Sequence, residues 1–230
     1  MDWDRYADTY RQVEDEAIVP RLLKRLMDAS SGSLLDVGCG EGALMDALRA
    51  SYADRWKLLG FEVSHKRAEI TRARGHAVLV SPDGVVPVPD GEFDLVVTCH
   101  VIEHVPDADA YVRDLARMVR PGGHVYLETP VKLPGGWYFR RNPEAGWVLD
   151  PTHVREYRSA AAVNEVVERN GLEVIDDELT PIAFPLAAAE GVVRRLLHRS
   201  QPTSRPTGLR AMEIKIPRYR QQAVLARRPE

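Results

Sequence analysis

Leu34-Leu35-Asp36-Val37-Gly38-Cys39-Gly40-Glu41-Gly42 reads as a short buried strand that runs into a glycine turn and out into a helix. Ser33 to Val37 is apolar and short. From Ala43 to Ala50 the apolar residues Leu44, Ala47 and Leu48 recur at helical spacing. Between strand and helix lies G-x-G-x-G, a turn whose missing side chains let backbone come close to a ligand. Asp36 falls at the carboxyl end of the strand, where open α/β sheets bind their ligands.

Dinucleotide-binding enzymes use a similar turn, G-x-G-x-x-G, with a pyrophosphate at the helix N-terminus. Here the third glycine comes one residue early and an acid precedes the turn. The next strand, Leu58 to Glu62, also ends in a carboxylate. A carboxylate there suits a ribose with both hydroxyls free, each oxygen accepting one hydroxyl hydrogen bond.

Working outward, the chain alternates strand and helix. Ser64 caps a helix that runs to Arg74 and stops at Gly75. Strands follow at Ala77 to Val80 and at Asp94 to Cys99, the latter apolar along its length as a central parallel strand should be. Asp107 to Val119 reads as a helix stopped by Pro121-Gly122-Gly123, and His124 to Glu128 as a fifth strand. Ala160 to Asn170 is helical, Leu172 to Asp176 extended, and the last strand falls within Gln222 to Arg227. This alternation predicts an α/β fold with a doubly wound, mostly parallel sheet. Trp3 to Ser30 reads as a helical cap interrupted at Pro20. Two stretches break the rhythm. Lys132 to Pro151 is aromatic and rich in proline and glycine; Thr180 to Thr207 holds a short helix near Ala187 to Leu197 and a Pro/Ser-rich linker. Long irregular loops inside a compact domain are usually functional or disordered.

Taken together, LLDVGCGEG, GFEVS, PVPDGEFDLVVTCHVIEHVPD, LARMVRPGGHVYLETP and HVREY resemble the class I S-adenosylmethionine (SAM) dependent methyltransferases, the group that includes ubiquinone-pathway and natural-product enzymes. The resemblance covers roughly Ser33 to Asp177. It implies a Rossmann-like, seven-stranded methyltransferase fold in one domain. Residues 1–30 would be the helical cap, 31–130 the SAM-binding core, 131–158 the acceptor loop and 159–230 the C-terminal helix and strands with an insertion. It implies SAM as cofactor and S-adenosylhomocysteine (SAH) as product. Asp36, Gly38, Cys39, Gly40 and Gly42 would line the methionine and ribose part of SAM, Glu62 the ribose hydroxyls and Val63 the adenine. Asp83 is a candidate for the adenine amino group, although its spacing to Pro87 is one residue short of the pattern. Tyr10, with Trp3 and Tyr6, matches the W-D-x-x-A-x-x-Y opening that folds over the donor in relatives.

The chemistry falls to His100-Val101-Ile102-Glu103-His104, just past the fourth strand, and to His153 in Asp150 to Tyr157. An imidazole of ordinary pKa ~6.5 suits proton transfer near neutrality. His104 is the first candidate for a base and His153 the second; the alternative for each is a loop-stabilising histidine. His100 reads as a wall of the methionine pocket. Some small-RNA and ubiquinone-pathway methyltransferases carry E-x-x-E-H and a later histidine on a divalent ion. Here His100 replaces the first glutamate, while Glu103, His104 and His153 complete a set better suited to zinc or a transition ion than to magnesium. The expectation is nevertheless of no metal.

Bulk properties narrow the rest. The chain has 230 residues, net charge -3, 44% hydrophobic and 28% charged residues, which fits an ordinary globular domain without general nucleic-acid affinity. Cys39 and Cys99 form no disulfide framework, and Met1 to Tyr10 does not read as a signal peptide. No apolar run approaches the ~20 residues of a membrane helix. The expectation is a cytoplasmic enzyme with reduced thiols and a small-molecule acceptor, a sugar or secondary metabolite; a homodimer is compatible with it. From Glu190 onward, ten Lys/Arg (Arg194, Arg195, Arg199, Arg205, Arg210, Lys215, Arg218, Arg220, Arg227, Arg228) face only Glu190, Glu213 and Glu230. This is either a solvated face or a docking surface for an anionic group.

Overall fold

The computed structural model describes residues 3, 4, 7, 18–136, 140–142, 146–185 and 213–230. The core elements follow in chain order: α1 (Arg21–Ala29), β1 (Gly32–Val37), α2 (Ala43–Tyr52), β2 (Trp56–Glu62), α3 (His65–Ala73), β3 (Val78–Val80), β4 (Phe93–Cys99), α4 (Ala108–Met118) and β5 (Val119–Lys132). Then come β6 (Arg140–Asn142), β7 (Gly146–Val148), α5 (Ala160–Arg169), β8 (Glu173–Pro185) and β9 (Glu213–Arg227). Seven strands form one sheet in the order β3-β2-β1-β4-β5-β9-β8, and β6 and β7 form a separate hairpin. Strands β1 to β5 are parallel, and β9 runs antiparallel between β5 and β8. The expected doubly wound, mostly parallel seven-stranded sheet is observed.

Side-chain alternation divides the core. Leu34, Leu95, Val97 and Tyr126 face α1 and α2, where they meet Leu22, Leu23, Met27, Leu48 and Tyr52. Leu35, Val96, Val125 and Leu127 face α4 and α5, packing with Val112, Leu115, Val163 and Val167. Both faces are covered, which is why these strands are nearly continuous runs of apolar residues. Helix starts follow capping chemistry: Ser64, Asp107 and Ser159 each accept an amide hydrogen bond from the first turn of α3, α4 and α5.

Three strands exceed their sequence reading. β5 begins directly after α4, so the Pro121-Gly122-Gly123 segment lies inside the strand, and it continues four residues past Glu128. β8 and β9 extend as a long antiparallel ladder, so Thr180 to Pro185 is strand and not irregular chain. Pro181 is tolerated because β8 is an edge. Pro217 falls where the β8–β9 register shifts between Pro181 and Ala183, beside Arg218 with φ 62. Lys132 to Pro151 is also less irregular than read, since it contains the β6–β7 hairpin. The helix expected near Ala187 to Leu197 lies outside the described residues. Among the described residues no helix is long and apolar enough to cross a membrane.

Strand order reverses between β1 and β4, so the connections leave on opposite sides and open a crevice at their carboxyl ends. Asp36 and Cys99 sit at those ends.

Candidate active site

The donor side of the crevice is built by the glycine turn and Glu62. Gly38, Gly40 and Gly42 have φ of 83, 57 and 84, a region other residues enter at a cost. A Cβ on Gly38 would also lie 2.4 Å from a Val101 methyl. The amides of Gly38 and Cys39 both donate to the Phe61 carbonyl, at 2.8 and 3.0 Å, which fastens the turn to β2. Glu62 is buried and its carboxylate accepts three amides: Gly40 on Oε2, Val63 and Ser64 on Oε1, each at 2.9 Å. Both lone pairs of Oε1 are thereby spent. The expectation that each oxygen takes one ribose hydroxyl is corrected: remaining acceptor capacity is on Oε2.

Asp36 is 2% exposed. Burial, aided by the charge of Glu62, pushes its carboxyl up to about 7. The Cys39 and Cys99 thiols are raised above their ordinary value, chiefly by burial, so both stay protonated at neutrality. Val63 is partly buried against the core. Asp83 is exposed and spends Oδ1 on its own turn, accepting the Ser81 hydroxyl at 2.6 Å and the Val85 amide at 3.0 Å. Tyr10 and Tyr6 lie outside the described residues. Trp3 sets its ring edge-on to His104, with centroids 5.8 Å apart.

Across the crevice, the segments after β4 and before α5 are stitched together. Val154 donates its amide to the Glu103 carbonyl at 3.0 Å. Arg155 donates to the carbonyls of Ile102, Val105 and Pro106 at 2.7, 2.6 and 2.6 Å. This brings together His104 and His153, whose rings meet edge-on with centroids 4.9 Å apart.

Hydrogen-bond direction fixes both imidazoles. The Thr152 hydroxyl donates to Asp150 Oδ1 at 2.6 Å, so it can only accept from His104 Nδ1, 2.9 Å away. Glu156 Oε1 accepts from the Leu149 amide at 2.7 Å and from His153 Nδ1 at 3.1 Å. In its neutral form each ring thus carries its hydrogen on Nδ1, leaving the lone pair on Nε2. Burial, the largest influence, lowers the His104 pKa against the pull of Glu103. A neutral His104 at neutrality follows, which is the form a base requires. Thr152, Asp150 and Glu156 are the orienting residues that the sequence reading passed over. The motif around His153 held them, but nothing in their spacing reveals that Thr152 reaches a ring 48 residues away.

Glu103 is buried. Its Oε2 accepts the Thr129 hydroxyl at 3.0 Å, while Oε1 has no hydrogen-bond partner and lies 3.4 Å from His100 Nδ1. Burial opposes its charge, yet His100, His104 and His153 together hold its carboxyl below the ordinary value. His100, in a left-handed conformation (φ 58), keeps a half-exposed ring at the crevice. Burial works against its protonation, but Glu103 and Glu128 raise its pKa overall.

Arg155 is expected to matter structurally. Arg155→Lys cannot reach three carbonyls with one ammonium, and the loss of about 1–3 kcal/mol should appear as a lower thermal midpoint with donor affinity unchanged. An unaltered midpoint would show that the two segments hold together without the clamp.

A family described as "Methyltransferase domain" matches residues 7–177, and the chain belongs to it. A probable S-adenosylmethionine-dependent methyltransferase of Mycolicibacterium smegmatis is 32% identical over 163 residues, 70% of this chain and 58% of its own. The 27-O-demethylrifamycin SV methyltransferase of Amycolatopsis mediterranei is 30% identical over 163 residues, 67% of this chain and 56% of its own. The chain spans about half the length of the curated relatives it matches. Among solved structures, a SAM-dependent methyltransferase from Methanosarcina mazei superposes with a TM-score of 0.62 at 12% identity, covering 93% of this chain and 99% of that one.

Proposed function

We propose that this chain transfers a methyl group from SAM to an oxygen or nitrogen of a small acceptor, a sugar or secondary metabolite. The observation that carries this reading is a pair of imidazoles whose Nδ1 atoms are held by Thr152 and Glu156, across the crevice from Asp36 and Glu62. SAM lies along the glycine turn, with its ribose at Glu62 Oε2, its adenine beside Val63 and Asp83, and its methionine part near Asp36, Cys39 and His100. Methyl transfer is an in-line displacement, in which the acceptor attacks the methyl carbon opposite sulfur. Holding two ligands in line can contribute ~7–11 kcal/mol to the barrier. A hydroxyl acceptor must also lose a proton, and His104 Nε2 takes it, with His153 beside it to orient the acceptor. Two fixed bases favour oxygen over nitrogen. We assign the acceptor site to the described residues around Thr152, His153 and Glu156, and the resemblance to a rifamycin methyltransferase supports a natural-product acceptor.

Calorimetry with SAM and SAH tests donor binding. Release of SAH in the presence of an acceptor panel tests turnover. Binding without release for any acceptor would make the chain a non-catalytic SAM-binding partner.

A pH effect follows from Asp36. Its carboxyl titrates at about 7 in the folded chain against an ordinary 3.8, so the folded state holds a proton that the unfolded state releases. Across that window Asp36 costs stability as pH rises. The cationic methionine part of SAM favours the ionised form. SAM affinity should therefore climb as pH rises toward 7 and flatten above, and binding at about pH 6 should release a proton. Calorimetry in buffers of different ionisation enthalpy reads this release. Asp36→Asn should abolish the slope; a slope that persists would remove Asp36 from donor binding.

Glu103 favours a second, metal-assisted reading, for an acceptor such as an RNA end or quinol precursor. One ligand atom each from Glu103, His104 and His153 lies within 4.8 Å of the others, and the unpartnered Glu103 Oε1 is the kind of buried charge a cation satisfies. The residues fit a zinc or transition ion, with Thr152 and Glu156 as outer supports. His100 stands outside this trio. A bound cation would supply Lewis acidity toward the acceptor oxygen. Metal-free purified protein with full activity in chelator would dismiss this reading.

A further inference from the structure

Thr71, in the last turn of α3, is 0% exposed, and both branches of its side chain meet the glycine turn. Its hydroxyl donates to the Gly40 carbonyl at 2.8 Å. The same hydroxyl lies 3.1 Å from the Arg67 carbonyl, the bond a threonine inside a helix makes to its own preceding turn. A hydroxyl has one hydrogen, and the shorter contact takes the larger share of it. The methyl group lies against Gly42: a Cβ built there would come within 2.8 Å of Thr71 Cγ2. One side chain from a neighbouring helix thus reaches both Gly40 and Gly42.

Gly40 is held on both sides of its Cα. Its amide donates to Glu62 Oε2 at 2.9 Å, and its carbonyl accepts from Thr71. Peptide planes are rigid, so these two bonds set the planes that meet at Gly40 and with them its left-handed φ of 57. Glycine has no side chain to restrict it and loses more freedom on ordering than any other residue. Without the second bond, part of that ordering would fall to the ligand, at a cost to affinity. The carbonyl and the following amide of a trans peptide point in opposite directions. A Gly40 carbonyl aimed at α3 therefore turns the Glu41 amide away from that helix. The same helix reaches the donor side at its other end, where the Ser64 amide donates to Glu62 Oε1 at 2.9 Å.

We propose that Thr71 is a positioning residue for the methyl donor, its hydroxyl holding the Gly40 peptide in the arrangement that receives SAM. Thr71 is closed to solvent, so it acts through Gly40 and not on the ligand. The role rests on the methyltransferase reading and deepens it, because part of the donor affinity then resides in α3, behind the residues that line the crevice.

The test is calorimetric titration of the full chain with SAH, paired with a melting curve for each variant. Thr71→Val keeps the shape and the methyl contact with Gly42 and removes the hydroxyl. Its SAH affinity should fall about 10-fold, the equivalent of one lost hydrogen bond. Thr71→Ser keeps the hydroxyl and removes the methyl. It should melt earlier than the wild type, as loss of a buried methyl does, yet keep wild-type affinity for SAH. If Thr71 served packing alone, affinity would follow stability and the serine variant would bind as weakly as the valine one. That result, or wild-type affinity in Thr71→Val, overturns the proposal. Should the valine variant fail to fold, Thr71→Ala set against Thr71→Ser removes the same hydroxyl in chains that both lack the methyl, with the same difference of about 10-fold expected and equal affinities overturning the role. SAH binding by the wild type is measured first. If the wild type does not bind it, the methyltransferase reading falls and the role of Thr71 with it; if it binds and the variants bind alike, only the role of Thr71 falls.

Discussion

Replacing His104 by alanine is expected to leave SAM affinity within a fewfold of the wild type and to lower turnover by ~10²–10⁴-fold, the contribution of a general base. Among the described residues the ring's hydrogen bond and ring contacts go to Thr152, Trp3 and His153 and not to the glycine turn or Glu62, so donor binding has no reason to change. The proton it would accept leaves through an imidazole whose Nδ1 is tied to Thr152 and Asp150. Thr152→Val should therefore reproduce part of the loss by freeing the ring to change tautomer, and should shift the pH profile of kcat where His104→Ala flattens it. Metal content of both variants separates the two readings. A base alone leaves it unaffected at zero, whereas a cation held by Glu103, His104 and His153 would be present in the wild type and lost. Near-normal turnover in His104→Ala would take this residue out of the mechanism.

Glu62→Gln is expected to reduce SAM affinity by more than about 100-fold, since on the proposed reading the carboxylate would lose its ribose and its hold on the turn at once. The isosteric amide keeps one oxygen. Its NH₂ would face backbone donors now met by the carboxylate, leaving at least one of the Gly40, Val63 and Ser64 amides without an acceptor. The thermal midpoint should fall by roughly 3–10 °C, from about 1–3 kcal/mol of lost hydrogen bonding. Calorimetry and a melting curve measure the two effects together. A variant that melts early yet binds SAM normally would give Glu62 a purely structural task and move the ribose elsewhere.

The parts of the fold that could be read from sequence are those whose signals are local. β1, the glycine turn and α2 declare themselves through an apolar run, three glycines and helical spacing. Ser64 and Asp107 announce their helices because a cap acts within three residues. β8 and β9 were read short because Pro181, Pro217 and a run of charges interrupt their alternation, and only pairing across the sheet reveals that an edge and a register shift accommodate them. In the site, His104 and His153 were visible as residue types, and their meeting follows the resemblance of the two motifs. Their chemistry was not visible. Which nitrogen bears the hydrogen depends on Thr152, Asp150 and Glu156, whose relevant partners are set by how two distant segments dock. Lys132 read as the start of an irregular loop, and its burial over Tyr219 depends on a strand that enters from the end of the chain.

The grip of Arg155 on three carbonyls has a consequence for how such a protein can diversify. The stretch bearing His153 is anchored by Arg155 to the wall that carries Glu103 and His104. Segments outside that anchorage can change in length and composition without disturbing how His104 and His153 are held together. A clamp of this kind lets one pair of histidines be kept while the chain around it is rewritten.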